Sequence, residues 1–120
     1  MFDSFKEDIK SFMEHDPAAR RPIEIVLLYP GVKALQSHKR AKWFLNHNMP
    51  FIARYISQRS AHKTGIEMHP GATIGRRVCI DHGNGIVIGE TTEIGDDVMI
   101  YQGVTLGGTG KDVGTRHPTI

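Results

Sequence analysis

Through most of the second half of the sequence an aliphatic residue returns at every sixth position. These residues form two runs: Met68, Ile74 and Ile80, then Ile88, Ile94, Ile100 and Leu106. A period of six fits neither a helix nor a simple alternating strand, and it is typical of a solenoid. The position four residues further on is small or branched, as at Ala72, Val78, Val98 and Val104. The pattern predicts two inward side chains per hexad and a left-handed parallel β-helix in which three hexads make one coil.

The two runs are out of phase by two residues. The extra residues fall in the segment Asp81, His82, Gly83, Asn84 and Gly85. Because glycine tolerates bulges and unusual backbone angles, this segment is predicted to bulge and to project the His82 imidazole out of a regular wall. The irregularity of the repeat therefore coincides with its most reactive pair of side chains.

The first half of the chain has a different character. Phe2, Phe5, Ile9, Phe12 and Met13 recur at helical spacing. Asp16 followed by Pro17 is typical of a helix N-cap, and further helices are predicted over residues 22–28, 32–46 and 50–60. We therefore predict an α+β fold, with an α-helical N-terminal region at residues 1–63 and a β-helix domain at residues 64–120.

Several histidines and aromatic residues of the helical region belong to no recognisable motif, so they are expected to have no catalytic or binding role. The four histidines there lack a matching carboxylate or ligand spacing, so surface positions are expected for His15, His38, His47 and His62. Trp43 and Phe44 are expected to lie in the core rather than to form a platform for a cofactor.

Composition and charge narrow the function classes. The net charge of +2 over 120 residues is too small to indicate nucleic-acid binding. The charged first residues fit no secretory signal, and the longest apolar run, residues 25–29, is too short to span a bilayer. A cytoplasmic protein with no membrane segment is therefore expected. The lone Cys79 excludes an internal disulfide and a cysteine-based zinc cluster.

His82 is the strongest candidate for catalysis. An imidazole, with an ordinary pKa of about 6.5, is a natural general base at neutral pH, especially when a carboxylate fixes its tautomer. Glu67 lies roughly one coil earlier and is the candidate for that orienting role. The competing interpretation, that Asp81 and His82 are only turn residues, is disfavoured by the break in register at their position.

A second break in the repeat follows Leu106. Fourteen residues separate Leu106 from Ile120, which is two hexads and two extra residues. The excess is predicted to form an extruded loop within residues 107–118. Arg116 and His117 lie at the end of that segment and offer a carboxylate-binding fork and a further donor.

Four sequence strings resemble one enzyme family. They are GIEMHPGA at 65–72, DHGNGIVIGET at 81–91, QGVTLGGTGK at 102–111 and RHP at 116–118. Together they resemble the serine O-acetyltransferases, hexapeptide-repeat enzymes that transfer acetyl from acetyl-CoA to L-serine and so make O-acetylserine for cysteine biosynthesis. The resemblance runs from about Asp16 to the last residue.

The resemblance implies a role for each matching residue. His82 matches the general base, which takes the serine hydroxyl proton as that oxygen attacks acetyl-CoA directly, and Glu67 stands where many relatives have Asp. The other matches are the serine-ammonium residues Asp81 and Asp16, the serine-carboxylate residues Arg116 and His117, and the CoA-lining positions Gly108 and Thr109. Acetyl-CoA is a co-substrate, and no metal is implied.

The resemblance also implies that the protein forms an oligomer, and it shows that the sequence is shorter than its relatives. Relatives form homotrimers, often paired as dimers of trimers, with active sites between neighbouring solenoids. They continue past Ile120 with further hexads that complete the CoA site, so the chain is expected to be a C-terminally truncated form. Its uncapped end would leave strand edges unpaired, and little or no acetylation of serine by the 120 residues alone is expected.

Two other functions remain open from the sequence. Relatives of the γ-class carbonic anhydrases bind zinc through three histidines, and His69, His82 and His117 supply three imidazoles, although Glu67, Asp81 and Arg116 have no ligand role in that arrangement. Alternatively, the chain is an interaction module. A C-terminal isoleucine docks the family onto O-acetylserine sulfhydrylase, and the sequence ends in Ile120.

Overall fold

The computed structural model describes residues 2–15, 21–107 and 119–120 of the chain. Four helices come first: α1 Phe2–His15, α2 Pro22–Leu28, α3 Pro30–Asn46 and α4 Pro50–Thr64. Seven short strands follow: β1 Ile66–Met68, β2 Thr73–Ile74, β3 Cys79–Asp81, β4 Ile86–Ile88, β5 Glu93–Ile94, β6 Met99–Tyr101 and β7 Thr105–Leu106. Helices followed by parallel strands are as predicted. The proposed cap at Asp16 and Pro17 lies outside the described residues.

Proline and glycine set the ends of the helices. Pro22, Pro30 and Pro50 each occupy the first turn of a helix, where the missing N–H of proline removes no helical hydrogen bond. Helix α4 is capped by Gly65, which has a left-handed backbone (φ 73°) and donates its N–H to the carbonyl of Ala61 at 2.8 Å. The chain thus turns from its last helix into its first strand at one glycine.

The strands stack as three parallel sheets, ordered β1-β4-β7, β2-β5 and β3-β6. Ile66 pairs with Ile86, twenty residues later, whereas Val87 pairs with Thr105, eighteen residues later. Three hexads make a coil of eighteen residues. The two extra residues of the first coil lie between β3 and β4, because β3 still pairs twenty residues later, with β6. The phase break predicted at residues 81–85 is confirmed.

The second break is larger than predicted. Thr119 bridges Glu93 in parallel, the N–H of Ile120 donates to the carbonyl of Glu93 at 2.7 Å, and Gly95 donates to the carbonyl of Ile120 at 3.0 Å. Ile120 therefore stacks on Ile94, twenty-six residues earlier, where a regular coil takes eighteen. The segment after Leu106 holds eight extra residues, so the expectation of two was wrong because the chain resumes one hexad later, not two.

The aliphatic stripe of the repeat forms the core of the strand region. Met68, Ile80, Ile88, Ile94 and Ile100 are buried, while Ile74 and Leu106 are partly buried. Ile66 and Ile86 are further inward positions that the hexad pattern did not predict, whereas Thr92 occupies the predicted position four residues after Ile88. Thr92 is fully buried, and its hydroxyl donates to the carbonyl of Leu106 at 3.2 Å, so a polar residue occupies an inward position without an unpaired group.

The helices pack on the first coil and share its core. Phe12, Ile25, Val32 and Leu35 belong to the same cluster of buried residues as the strand isoleucines. This continuity favours cooperative folding of the two regions, and the division into domains at residue 63 stays a prediction. Within the part of the chain that the structure describes, no helix combines the length and apolar character needed to cross a membrane.

Two expectations for the helical region were wrong. His38 is only 5% exposed, because it lies on the buried side of α3 and bonds the carbonyl of Ala72, which is thirty-four residues later in the chain. Trp43 is 47% exposed rather than in the core, and its ring stacks on that of His47 with 4.0 Å between the ring centroids. Helical periodicity alone did not distinguish these two faces.

Candidate active site

His82 lies at the corner between β3 and β4 in a strained conformation. Its φ is 61°, a left-handed value that is uncommon for residues with a side chain, and it is followed by Gly83 and Gly85, with φ of 92° and 81°. The N–H of Gly85 donates to the carbonyl of Gly65 at 2.8 Å, which ties this corner to the start of the solenoid. Asn48, Arg77 and Asp97 also have positive φ, so it is the coincidence of this conformation with the phase break at residues 81–85 that marks His82 as a candidate.

The side chains of Asp81 and His82 are adjacent and open to solvent. The Nε2 atom of His82 is 3.8 Å from an Oδ1 of Asp81, and the exposed fractions of the two side chains are 76% and 45%. Ile80, directly before them, is buried in the core. The strand therefore fixes the backbone of the pair while both polar groups remain accessible to a substrate.

A cleft of about 260 Å³ borders this pair. Besides Ile80, Asp81 and His82, it is lined by the junction of α2 and α3, namely Leu28, Tyr29, Pro30 and Gly31. The ring of Tyr29 meets the ring of Phe12 edge to face, with centroids 6.3 Å apart. The helices predicted over residues 22–28 and 32–46 left this junction out of any element, and it was not predicted as a wall of the site.

Glu67 points outward from β1, whereas His82 lies in the corner that follows β3. Its Oε1 accepts a hydrogen bond from the side-chain Nε2 of Gln58, at 3.3 Å, and its Cα neighbour in the sheet is Val87. Among the described residues, no hydrogen bond or ion pair joins Glu67 to His82. The structure thus brings Asp81 and His82 together but does not pair His82 with Glu67.

The remaining predicted site residues lie outside the described part of the chain. They are Asp16, Gly108, Thr109, Arg116 and His117. Of the three histidines considered for zinc, His69 has its Nδ1 bonded by the N–H of Gly71 at 3.0 Å, and His117 is among the undescribed residues. Within the described ranges, no group of three or more His, Cys, Asp or Glu side chains is arranged to hold a metal ion.

Comparison with known proteins decides the family. The chain is 58% identical over 119 residues to the serine acetyltransferase of Bacillus pumilus, an alignment covering 99% of this chain and 55% of that protein. It is 57% identical over 112 residues to the serine acetyltransferase of Helicobacter pylori, covering 93% of this chain and 66% of that protein. The chain belongs to the serine acetyltransferase family. It spans about half the length of most curated relatives it matches, and no family model matches the sequence.

Solved structures give the same family. A serine acetyltransferase from Brucella abortus in complex with coenzyme A matches with a TM-score of 0.95 at 38% identity, covering 98% of this chain and 47% of that one. Soybean serine acetyltransferase complexed with serine matches with a TM-score of 0.93 at 37% identity, covering 98% and 48% of the two chains. The helical region and the strands together therefore follow the architecture of these relatives.

Proposed function

We propose that this chain takes part in the transfer of an acetyl group from acetyl-CoA to the hydroxyl of L-serine, giving O-acetylserine. The single observation that carries the proposal is the exposed His82, held in a left-handed conformation at the corner where the first coil is two residues too long. Support comes from family membership and from relatives that have been captured with coenzyme A and with serine.

In the proposed reaction His82 acts as the general base. Its imidazole accepts the proton of the serine hydroxyl while that oxygen forms a bond to the acetyl carbonyl carbon. The bond from that carbon to the CoA sulfur breaks, and the proton passes from the imidazolium to the departing thiolate. Direct attack needs no acyl-enzyme, and a positioned base typically contributes about 10² to 10⁴-fold to the rate.

Glu67 is proposed to orient His82 during the reaction. The hydrogen bond between Gly85 and Gly65 brings the start of β1 next to the His82 corner, and Glu67 is two residues along that strand. The bond from Gln58 to Glu67 is long, at 3.3 Å, and both groups are exposed. We propose that the Glu67 carboxylate exchanges this weak bond for one to the imidazole during the reaction, which would fix the tautomer and stabilise the imidazolium.

The binding of the two substrates is proposed from the family resemblance. Asp81, at the cleft, and Asp16 pair with the serine ammonium, and Arg116 with His117 binds the serine carboxylate. CoA passes along Gly108 and Thr109. These assignments rest on the family resemblance and on the position of Asp81 beside His82.

The proposal extends to the assembly. We propose that the stacked strands form a left-handed β-helix, that the protein works in the cytoplasm as a homotrimer or a dimer of trimers, and that O-acetylserine sulfhydrylase is a partner. Each is typical of the family that the sequence strings resemble.

The function is tested by mixing the native protein with acetyl-CoA and serine and measuring release of the CoA thiol. We expect release that depends on serine and produces one O-acetylserine per thiol, with no zinc in the purified protein by elemental analysis. Thiol release that is independent of serine would contradict the proposal. Stoichiometric zinc with hydration of carbon dioxide would support the anhydrase alternative instead.

A further inference from the structure

A second cleft lies apart from the one that borders His82, because the two share no lining residue. It has a volume of about 350 Å³ and lies between α3, α1 and the strand β2. Its apolar walls include Leu35, Trp43 and Ile74, and its polar groups include Lys42 and Asn46. Ligand sites are concave, mostly apolar and equipped with a few polar groups, and this volume is at the small end of their usual range.

Lys42 is a half-buried cation at this cleft without a carboxylate partner among the described residues. Its ammonium donates one hydrogen bond, to the carbonyl of Ala72 at 2.9 Å. An ammonium has three donors, so this bond leaves capacity for a further acceptor. Partial burial lowers the pKa of Lys42. A buried charge is stabilised by a counter-ion, so the site favours an anion.

The other titratable groups at the cleft contribute no net charge. Asp8 is bonded by Lys39 at 2.6 Å and by Gln36 at 3.2 Å, so its carboxylate is paired. His38 bonds the same Ala72 carbonyl as Lys42, and burial lowers its pKa to about 4, so it is neutral at pH 7. With Lys39 and Asp8 cancelling, Lys42 leaves one positive charge, which matches a monoanion better than a dianion.

We propose that this cleft binds a small organic monocarboxylate, whose carboxylate pairs with Lys42 and whose apolar body lies against Leu35, Trp43 and Ile74. The site is separate from the cleft at His82, because the two share none of their lining residues. The proposal of a carboxylate site therefore does not depend on the acetyltransferase proposal.

The chain contains a built-in reporter for this site. Trp43 is the only tryptophan in the sequence, and it lines the cleft. We would titrate the protein with sodium benzoate at constant ionic strength and constant pH and follow the Trp43 fluorescence. The pH is held fixed because the His47 ring stacks on the indole. We expect a saturable change with benzoate and a much weaker response to benzyl alcohol, which has the same ring without the charge.

Variants of two lysines on the same helix test the role of Lys42. Lys42→Met keeps most of the side-chain volume, and we expect it to weaken benzoate binding about tenfold or more, because a charge-assisted bond is lost. Lys42→Arg, which retains the charge, and Lys33→Met, which alters an exposed lysine of α3, are expected to bind benzoate like the parent protein.

Several outcomes overturn the proposal. They are a response to benzoate that does not saturate, equal binding of benzyl alcohol, or unchanged binding by Lys42→Met. The comparison of benzoate with benzyl alcohol uses the unaltered protein, so it decides the question even if Lys42→Met does not fold.

Discussion

Gly31 and Ile80 are in contact so close that a Cβ at position 31 would stand 2.8 Å from the carbonyl oxygen of Ile80. The same Cβ would lie 3.1 Å from the ring of Phe12. Helices α1 and α3 and the strand β3 meet at this point, directly behind the cleft that borders His82. The absence of a side chain at Gly31 therefore sets how closely the helical region packs on the strand that presents the candidate base.

This contact predicts that Gly31→Ala destabilises the fold. The added methyl group meets backbone, which cannot move aside as a flexible side chain would, and overpacking of this kind costs about 1 to 3 kcal/mol. Thermal unfolding measures the effect. Gly95→Ala is the control, because a Cβ there has an ordinary contact of 3.4 Å with the carbonyl of Ile120. Equal unfolding temperatures for the two variants would show that the contact at Gly31 is not tight.

The alternation along β4 gives a second prediction. Ile88 is 1% exposed, whereas its neighbour Val87 faces outward and is 37% exposed. Ile88→Ala is expected to lower the free energy of unfolding by about 2 to 5 kcal/mol, because it leaves a cavity in the core. Val87→Ala is expected to change it by about 0.5 kcal/mol or less. Denaturant unfolding compares the two, and similar losses would contradict the inward assignment of the aliphatic stripe.

His38 predicts a loss of stability in mild acid. Burial lowers its pKa from 6.5 to about 4 in the folded protein. Between these values the unfolded chain binds more protons than the folded one, so the free energy of unfolding rises with pH. The stability that neutral His38 contributes is therefore lost as the pH falls from about 6.5 to 4. A shift of this size corresponds to roughly 3 kcal/mol.

The measurement is the free energy of unfolding as a function of pH for the parent protein and for His38→Gln, which keeps a donor for the Ala72 carbonyl but does not titrate there. Burial raises the pKa of Asp8, which acts in the opposite direction at the acidic end and is common to both proteins. We expect the difference between the two proteins to shrink as the pH falls through this window. A constant difference would mean that His38 is not held neutral by burial.

The sequence predicted the parts of the fold that depend on local repetition. The hexad period identified the inward isoleucines, and the gap of eight between Ile80 and Ile88 located the irregular corner at His82. These features could be predicted because each coil needs inward aliphatic residues at the same positions as the coil before it. The eight-residue excess after Leu106 could not be read, since the return of Ile120 to the stack is set by its pairing with Glu93.

The parts that the sequence did not predict depend on contacts between distant segments. His38 is buried because Ala72, thirty-four positions away, supplies its hydrogen-bond acceptor. The wall of the cleft formed by Tyr29 and Pro30 exists because α3 packs on β3. Helical periodicity describes one helix at a time and does not show which side of it meets a strand.

Glu67 provides a test of the proposed orienting role. Glu67→Gln is expected to lower kcat for serine acetylation, but by less than removal of His82 does, because the base remains while control of its tautomer is lost. Gln58→Ala is the companion variant, since it removes the described partner of Glu67; we expect it to leave kcat unchanged or slightly raised. A change confined to the KM for serine in Glu67→Gln would make Glu67 a binding residue instead.

The proposed role of His82 as general base is tested most directly by His82→Ala. We measure kcat for serine-dependent release of the CoA thiol by the native protein, with His62→Ala as the control, because His62 is an exposed histidine of α4. Removal of the base is expected to lower kcat by about 10² to 10⁴-fold while His62→Ala keeps the parent value, with unfolding temperatures confirming that both variants are folded. A folded His82→Ala variant with nearly the parent kcat would contradict the account.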